Sequence, residues 1–296
     1  MPSNGLLPIL AIMAAVVFWG LSFLSIKITV AVFPPMTLAL LRFLMASLLL
    51  YGVFKWREPR TKLEKKDLPL IILAGIIGIT LYFYFENNGV KLITASAASI
   101  IIASIPIFTL IADAIFFKSG MTKRKIGSVL FSVLGVCLVV GVDLDWSDTG
   151  LGYLMMFGAA ISWVIYSMVT KPLFKKYSQL AIVFYQTVAG TAALIPLAFF
   201  EKTDWTRVNG VAVLNLIYLG VFCSALGYYV YGYALDKLGT NVSSLFLNLI
   251  PVVTVVASCF ILGERLSGLQ IIGGLIVITA VTVANWEARA KTAKPL

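Results

Sequence analysis

The chain has 296 residues, of which 60% are hydrophobic and only 12% charged, and its mean hydropathy is +0.98. A soluble domain carries roughly 25% charged residues, so half that share cannot clothe a surface facing water, and the exterior must face lipid. The formal net charge of +10 does not point to nucleic acid. Its basic residues sit in short loops between apolar runs, where membrane topology places them.

Other absences narrow the chemistry. There is no histidine, which removes His-based metal sites, Ser-His-Asp catalysis and His proton relays together. Cys137, Cys223 and Cys259 lie inside apolar runs without CxxC spacing and read as small buried hydrophobes. No phosphate-cradling loop is present, so ATP is not expected to drive this chain directly. No cofactor and no metal are expected. The start, Met1-Pro-Ser-Asn-Gly, lacks the basic segment of a secretory signal, and the apolar run after it reads as a first span.

A bilayer core takes about 20 apolar residues per helix, and alternation typical of a barrel is missing. The expectation is all-α, with ten spans at 6–26, 34–54, 68–90, 93–117, 126–142, 151–170, 180–200, 211–235, 242–262 and 268–286. The first holds Trp19, too deep for an interfacial belt, and ends at Lys27, which can snorkel to the surface. The second holds Arg42; the third holds Tyr82 and, near its outer end, Glu86. At about 1.5 Å per residue, both charges reach similar depth, and a structural ion pair Arg42–Glu86 is expected because lone charges there are costly. Glu86 is also the one credible buried carboxylate for proton coupling.

The fourth span places Ser96, Ser99, Ala103 and Pro106 on one helical stripe, and the ninth places Asn241, Ser244, Asn248 and Pro251 likewise. Small polar residues on one face serve either close packing or a wet cavity; Asn248, bulkier and mid-span, is read as cavity-facing. Pro106 and Pro251 each free a carbonyl four residues back, at Ile102 and Leu247, and are read as kinks or hinges beside a cavity. Trp163 and Tyr166 share a face of the sixth span, Tyr228 and Tyr231 a face of the eighth. With Trp19 and Tyr82, these rings either line a site or pack in the core with backbone partners.

The loops set orientation. One side, holding both termini, carries 17 Lys/Arg against 5 on the other, with Arg42 inside a span. Excess Lys/Arg marks the cytoplasmic face, so both termini are expected there, and the Asp143–Asp148 loop outside.

The sequence also repeats. Trp19 aligns with Trp163, Lys27 with Lys171 and Arg42 with Gln186 at an offset of 144; Gly75 aligns with Gly220, Ser99 with Ser244 and Pro106 with Pro251 at 145. The halves, 6–142 and 151–286, each hold five spans, with a cytoplasmic tail at 287–296. An odd number inverts the second half relative to the first, and inverted repeats place a substrate site near the midplane between them.

Ala15-Val-Val-Phe-Trp-Gly-Leu-Ser-Phe, Leu38-Ala-Leu-Leu-Arg-Phe and Ile250-Pro-Val with Leu262-Gly-Glu-Arg-Leu266, set in this 5+5 layout, resemble the drug/metabolite transporter superfamily. The pattern is similar to EamA-type exporters, among them YddG-like amino-acid exporters. It departs in the first half, where Phe117-Lys118-Ser119 stands opposite Gly263-Glu264-Arg265. The resemblance implies a secondary carrier, not an enzyme, exporting amino acids or similar small metabolites across a bacterial inner membrane. A small-molecule substrate and membrane lipid are expected as partners, with no nucleic acid, and a monomer is the expected state. Nucleotide-sugar or drug transport is the alternative within the superfamily; a membrane-embedded enzyme is remote.

Overall fold

A computed structural model describes residues 6–116, 118, 120–141 and 148–292, apart from the side chains of 240, 241, 244, 245 and 285–292. In chain order, α1 (Leu6–Thr29) leads to α2 (Pro35–Arg57), which opens on a proline at a position where the lost N–H bonds nothing in the helix. Next come α3 (Leu68–Gly75), a π-helical segment (Ile76–Leu81) and α4 (Tyr82–Leu92), continuous with one another. α5 (Ala95–Ala103) and α6 (Ile105–Phe116) form a broken helix, and α7 (Lys123–Val140) follows.

The second half repeats this order: α8 (Asp148–Thr170), α9 (Gln179–Phe199), then α10 (Gly210–Ile217), a π segment (Tyr218–Leu226) and α11 (Gly227–Leu238). A second broken helix, α12 (Thr240–Leu247) with α13 (Ile250–Ile261), precedes α14 (Gly268–Thr292). The two π segments fall at equivalent places in the repeat, and nothing in the apolar pattern announced them.

Seven helical stretches among the described residues, one of them the broken α5–α6, are long and apolar enough to cross a bilayer: 6–29, 35–57, 65–92, 95–116, 148–175, 179–199 and 210–238. The protein is therefore all-α and membrane-spanning. The other three expected spans do not meet that standard by themselves, for identifiable reasons. α7 opens on Lys123-Arg124-Lys125, the ninth span is cut between α12 and α13, and the described apolar part of α14 is Gly268–Ala284. Large apolar side chains point outward; Leu48, Phe199 and Phe260 are 73%, 83% and 84% exposed, a surface that lipid tolerates and water does not.

Packing follows the repeat. α1 lies against α11 as α8 lies against α4, α2 meets the 218–226 π segment as α9 meets the 76–81 one, and α7 pairs with α14. In lipid no hydrophobic force drives helices together, so small residues at the contacts let backbones approach. At the α7–α14 crossing, a Cβ on Gly135 would stand 2.7 Å from the Gly273 carbonyl oxygen, and one on Gly273 would stand 2.5 Å from that of Gly135. Only glycine fits either place.

Helix ends are tied by charges from the opposite repeat. The Glu201 carboxylate accepts from the Met36 and Thr37 amides (3.0 and 2.7 Å) at the start of α2, and Glu58 accepts from Ser178 Oγ (2.7 Å) at the start of α9. Glu264 accepts from the Ala95 and Ser96 amides (2.8 and 3.1 Å) and Ser96 Oγ (2.6 Å), capping α5 with a charge the helix dipole favours. Lys27 was expected to snorkel. Instead its Nζ donates to the carbonyls of Val90, Lys91 and Ile93 at 2.7–3.1 Å, closing the free C-terminal end of α4. Phe117, Ser119, residues 142–147 and 293–296 lie outside the described residues; Lys118, opposite Glu264 in the repeat, carries the other sign of charge.

Candidate functional site

The two broken helices meet at the centre. Backbone pairing in the first is interrupted at Ser104, whose N–H donates to Ile101 O (3.0 Å), and α6 restarts with Pro106 in its first turn. In the second the break is at Asn248–Leu249, with Pro251 in the first turn of α13. Each break lies two residues before its proline, as a ring without an N–H requires. Between them is a cavity of about 220 Å³ that both prolines and both freed-carbonyl residues, Ile102 and Leu247, line.

Trp19 from α1, Tyr82 from α4, Trp163 from α8 and Tyr228 from α11 supply its aromatic wall, and Ser99 and Asn248 also face it. Each tryptophan packs on a tyrosine of the other repeat: Trp19 on Tyr228 at 5.5 Å, Trp163 on Tyr82 at 5.3 Å between ring centroids. The two indoles differ in one respect. Trp19 Nε1 donates to Cys223 O (3.0 Å) in the π segment, whereas Trp163 Nε1 has no hydrogen-bond partner among the described residues. Ser99 Oγ turns back to Ser96 O (2.8 Å), and Asn248 Nδ2 donates to Thr282 Oγ1 (3.2 Å).

Tyr166 and Tyr231 stand behind the wall rather than in it. Tyr166 packs on Trp163 (5.2 Å) and donates its hydroxyl to Gln186 Oε1 (3.0 Å); Tyr231 packs on Trp19 (5.2 Å). Sharing a helical face with a lining residue does not suffice when the next turn is already covered by a neighbour. The side chains of Asn241 and Ser244 lie outside the described residues.

Arg42 and Glu86 both line the cavity but form no ion pair with each other. Arg42 is 3% exposed; its Nε donates to Ser224 Oγ (2.6 Å), and its guanidinium lies 4.5 Å from the Phe83 ring centroid and 5.3 Å from that of Phe43. Among the described residues no group accepts a hydrogen bond from its Nη1. Glu86, 4% exposed, accepts the Tyr82 hydroxyl at 2.8 Å. The expected contact fails because aromatic faces and a serine of the other repeat hold the guanidinium, while a tyrosine one turn away holds the carboxylate. Ser22, Phe23, Phe83 and Ser224 are the site neighbours that sequence reasoning missed. Ser22 stands one turn from Trp19 and was within reach of a periodicity argument; Ser224 bonds across 182 residues and was not.

A larger depression of about 520 Å³, walled mostly by apolar side chains such as Phe131, Ile272 and Leu275, lies between α7 and α14. It receives none of the central aromatic or charged residues. Among the described residues no cluster of His, Cys, Asp or Glu could hold a metal.

Known proteins resemble this chain along its length. The EamA-like transporter family model matches residues 6–141 and again 150–286, two units in tandem. An uncharacterised transporter of Archaeoglobus fulgidus is 32% identical over 89% of this chain and 95% of its own length. A probable terminal-alkyne amino-acid exporter of Streptantibioticus cattleyicolor is 30% identical over 93% and 92%. A probable amino-acid metabolite efflux pump of Escherichia coli is 26% identical over 96% of both chains. A crystal structure with 19% sequence identity matches 94% of this chain and 97% of its own with a TM-score of 0.66, which speaks to fold alone. With the family pattern covering both halves, the chain belongs to the EamA-like transporter family and is an integral membrane protein.

Proposed function

We propose that this protein is a ten-span carrier of two inverted five-helix repeats that exports amino acids, in the manner of the YddG-like exporters its sequence resembles. The observation that carries the reading is the cavity itself, where both broken helices, both tryptophans and both intramembrane charges converge. Reciprocal packing of equivalent helices supports the pseudo-two-fold, and such repeats alternate access by rocking around a fixed central site. The names of two relatives, an amino-acid exporter and an amino-acid metabolite efflux pump, point to the same substrate class.

Size separates the alternatives. A cavity of about 220 Å³ lies below the roughly 300–1,000 Å³ of sites for drug-sized ligands, so it suits one amino acid better than a nucleotide sugar or a drug. The aromatic wall favours aromatic or apolar side chains, with Trp163, whose N–H is unengaged, as the discriminating ring. An edge or face contact with it is worth about 0.5–1.5 kcal/mol, or roughly tenfold in preference at its upper end.

Counterflow in proteoliposomes with labelled phenylalanine and serine tests this reading. Wild type should exchange phenylalanine in preference, and Trp163→Ala should shrink that preference by roughly tenfold with folded yield retained. Equal loss for both substrates would make the ring a packing element, and exchange of a nucleotide sugar in their place would overturn the substrate class. The 17-to-5 distribution of Lys/Arg supports cytoplasmic termini. A reporter fused after Leu296 should work only inside the cell, and activity solely on the outer side would reverse the topology.

A further inference from the structure

We propose that Arg42 and Glu86 are the two charged ligands of a zwitterionic substrate, the guanidinium receiving its α-carboxylate and the Glu86 carboxylate its α-ammonium. The assignment rests on the amino-acid reading of the same cavity and adds the chemistry by which that class is recognised. Among the described residues Arg42 and Glu86 are the two charged residues lining the cavity, one of each sign, so that lining is neutral as a whole and suits a ligand that is also neutral but internally charged.

The geometry distinguishes this from a structural pair. A buried ion pair kept for architecture closes to contact, because each charge otherwise stays uncompensated at low dielectric. Here the two remain outside ion-pair distance, and each makes a single side-chain hydrogen bond to a neutral partner: Arg42 Nε to Ser224 and Glu86 Oε1 from Tyr82. The Phe83 ring covers one face of the guanidinium, and Ser224 takes one donor. Nη1 has no acceptor among the described residues, leaving a guanidinium N–H for a carboxylate oxygen. On the other side, the Tyr82 bond holds Glu86 in one orientation while leaving acceptor capacity for an ammonium. A molecule bearing both charges completes both groups at once. One bearing a single charge leaves the other side chain buried without its counter-charge, and a site built for a buried polar partner rejects the analogue lacking it strongly.

The test uses reconstituted full-length protein, labelled L-phenylalanine counterflow and three competitors: L-phenylalanine, L-phenylalaninamide, which lacks the carboxylate, and 3-phenylpropionate, which lacks the ammonium. The amide and the acid should each compete at least about thirtyfold more weakly than phenylalanine, the size of effect seen when one member of a buried charge pair is removed. Arg42→Gln should erase the discrimination against the amide alone, and Glu86→Gln that against the acid alone. If phenylalanine is exchanged but the three compete within about tenfold of one another, or if either variant weakens all three equally, the charge recognition is wrong while the amino-acid reading stands. If phenylalanine is not exchanged at all, both fall. The wild-type competitor series decides the matter even where a variant does not fold.

Discussion

Arg42 on α2 and Gln186 on α9 occupy equivalent positions, 144 residues apart, in the two repeats. Gln186 is 1% exposed and has both ends of its amide engaged, Oε1 by the Tyr166 hydroxyl (3.0 Å) and Nε2 by Thr170 Oγ1 (3.0 Å). Arg42, equally buried, has one hydrogen bond and an Nη1 with none. Trp19 and Trp163 repeat the contrast, with the first anchored through its N–H and the second not. In each matched pair one copy has its polar group engaged by the protein, and the other leaves one without a partner among the described residues. Duplication supplies the scaffold twice, and on the proposed reading the site draws on the positions where the copies diverge in chemistry.

The contrast can be broken at its strongest point first. Gln186→Leu leaves the Tyr166 hydroxyl and Thr170 without their shared partner, costing about 1–3 kcal/mol for a buried orphaned group. The thermal midpoint of the purified protein should fall, with the ranking of competing substrates unchanged. A changed ranking with an unchanged midpoint would place Gln186 among the recognition residues and dissolve the comparison. A smaller effect sharpens it. Trp19→Phe removes one neutral hydrogen bond, about 0.5–1.5 kcal/mol, and should lower the midpoint modestly. Trp163→Phe removes none made among the described residues, so its midpoint should hold. Equal shifts from the two phenylalanine variants would mean that the indoles are equivalent after all.

How much of this could be read from the chain varies with the distance over which the cause acts. The two-fold repeat, the apolar spans and the proline breaks follow from local pattern, and the structure brings Trp19, Tyr82, Ser99, Pro106, Trp163, Tyr228, Asn248 and Pro251 around one cavity. A shared level along their helices was legible for Arg42 and Glu86, because rise per residue is fixed, and both line the cavity. Their partners were not, since Ser224 and the ring of Phe83 reach Arg42 through packing between elements that no spacing rule connects. Tyr166 and Tyr231 lie outside the lining for a related reason: periodicity assigns a face, and only the neighbouring helix decides whether that face stays open. The roles of Glu264 and Lys27 as caps for helices far away in sequence belong to the same class of long-range facts.

The π segments carry one more consequence. A π turn accommodates an extra residue without lengthening the helix by a full step, and each α-helical residue advances the azimuth by about 100° at 3.6 residues per turn. The segment Ile76–Leu81 therefore acts as a phase setting for everything beyond it, aiming Tyr82 and Glu86 inward while α3 keeps its own seam against α9. Segment Tyr218–Leu226 does the same for Tyr228. A helix wound without that extra residue would keep its composition, length and lipid-facing character, yet it would present the cavity with a different column of side chains. Two columns of one helix thus become addressable by a change of a single residue, a way for a duplicated carrier to acquire a new lining without rebuilding its walls.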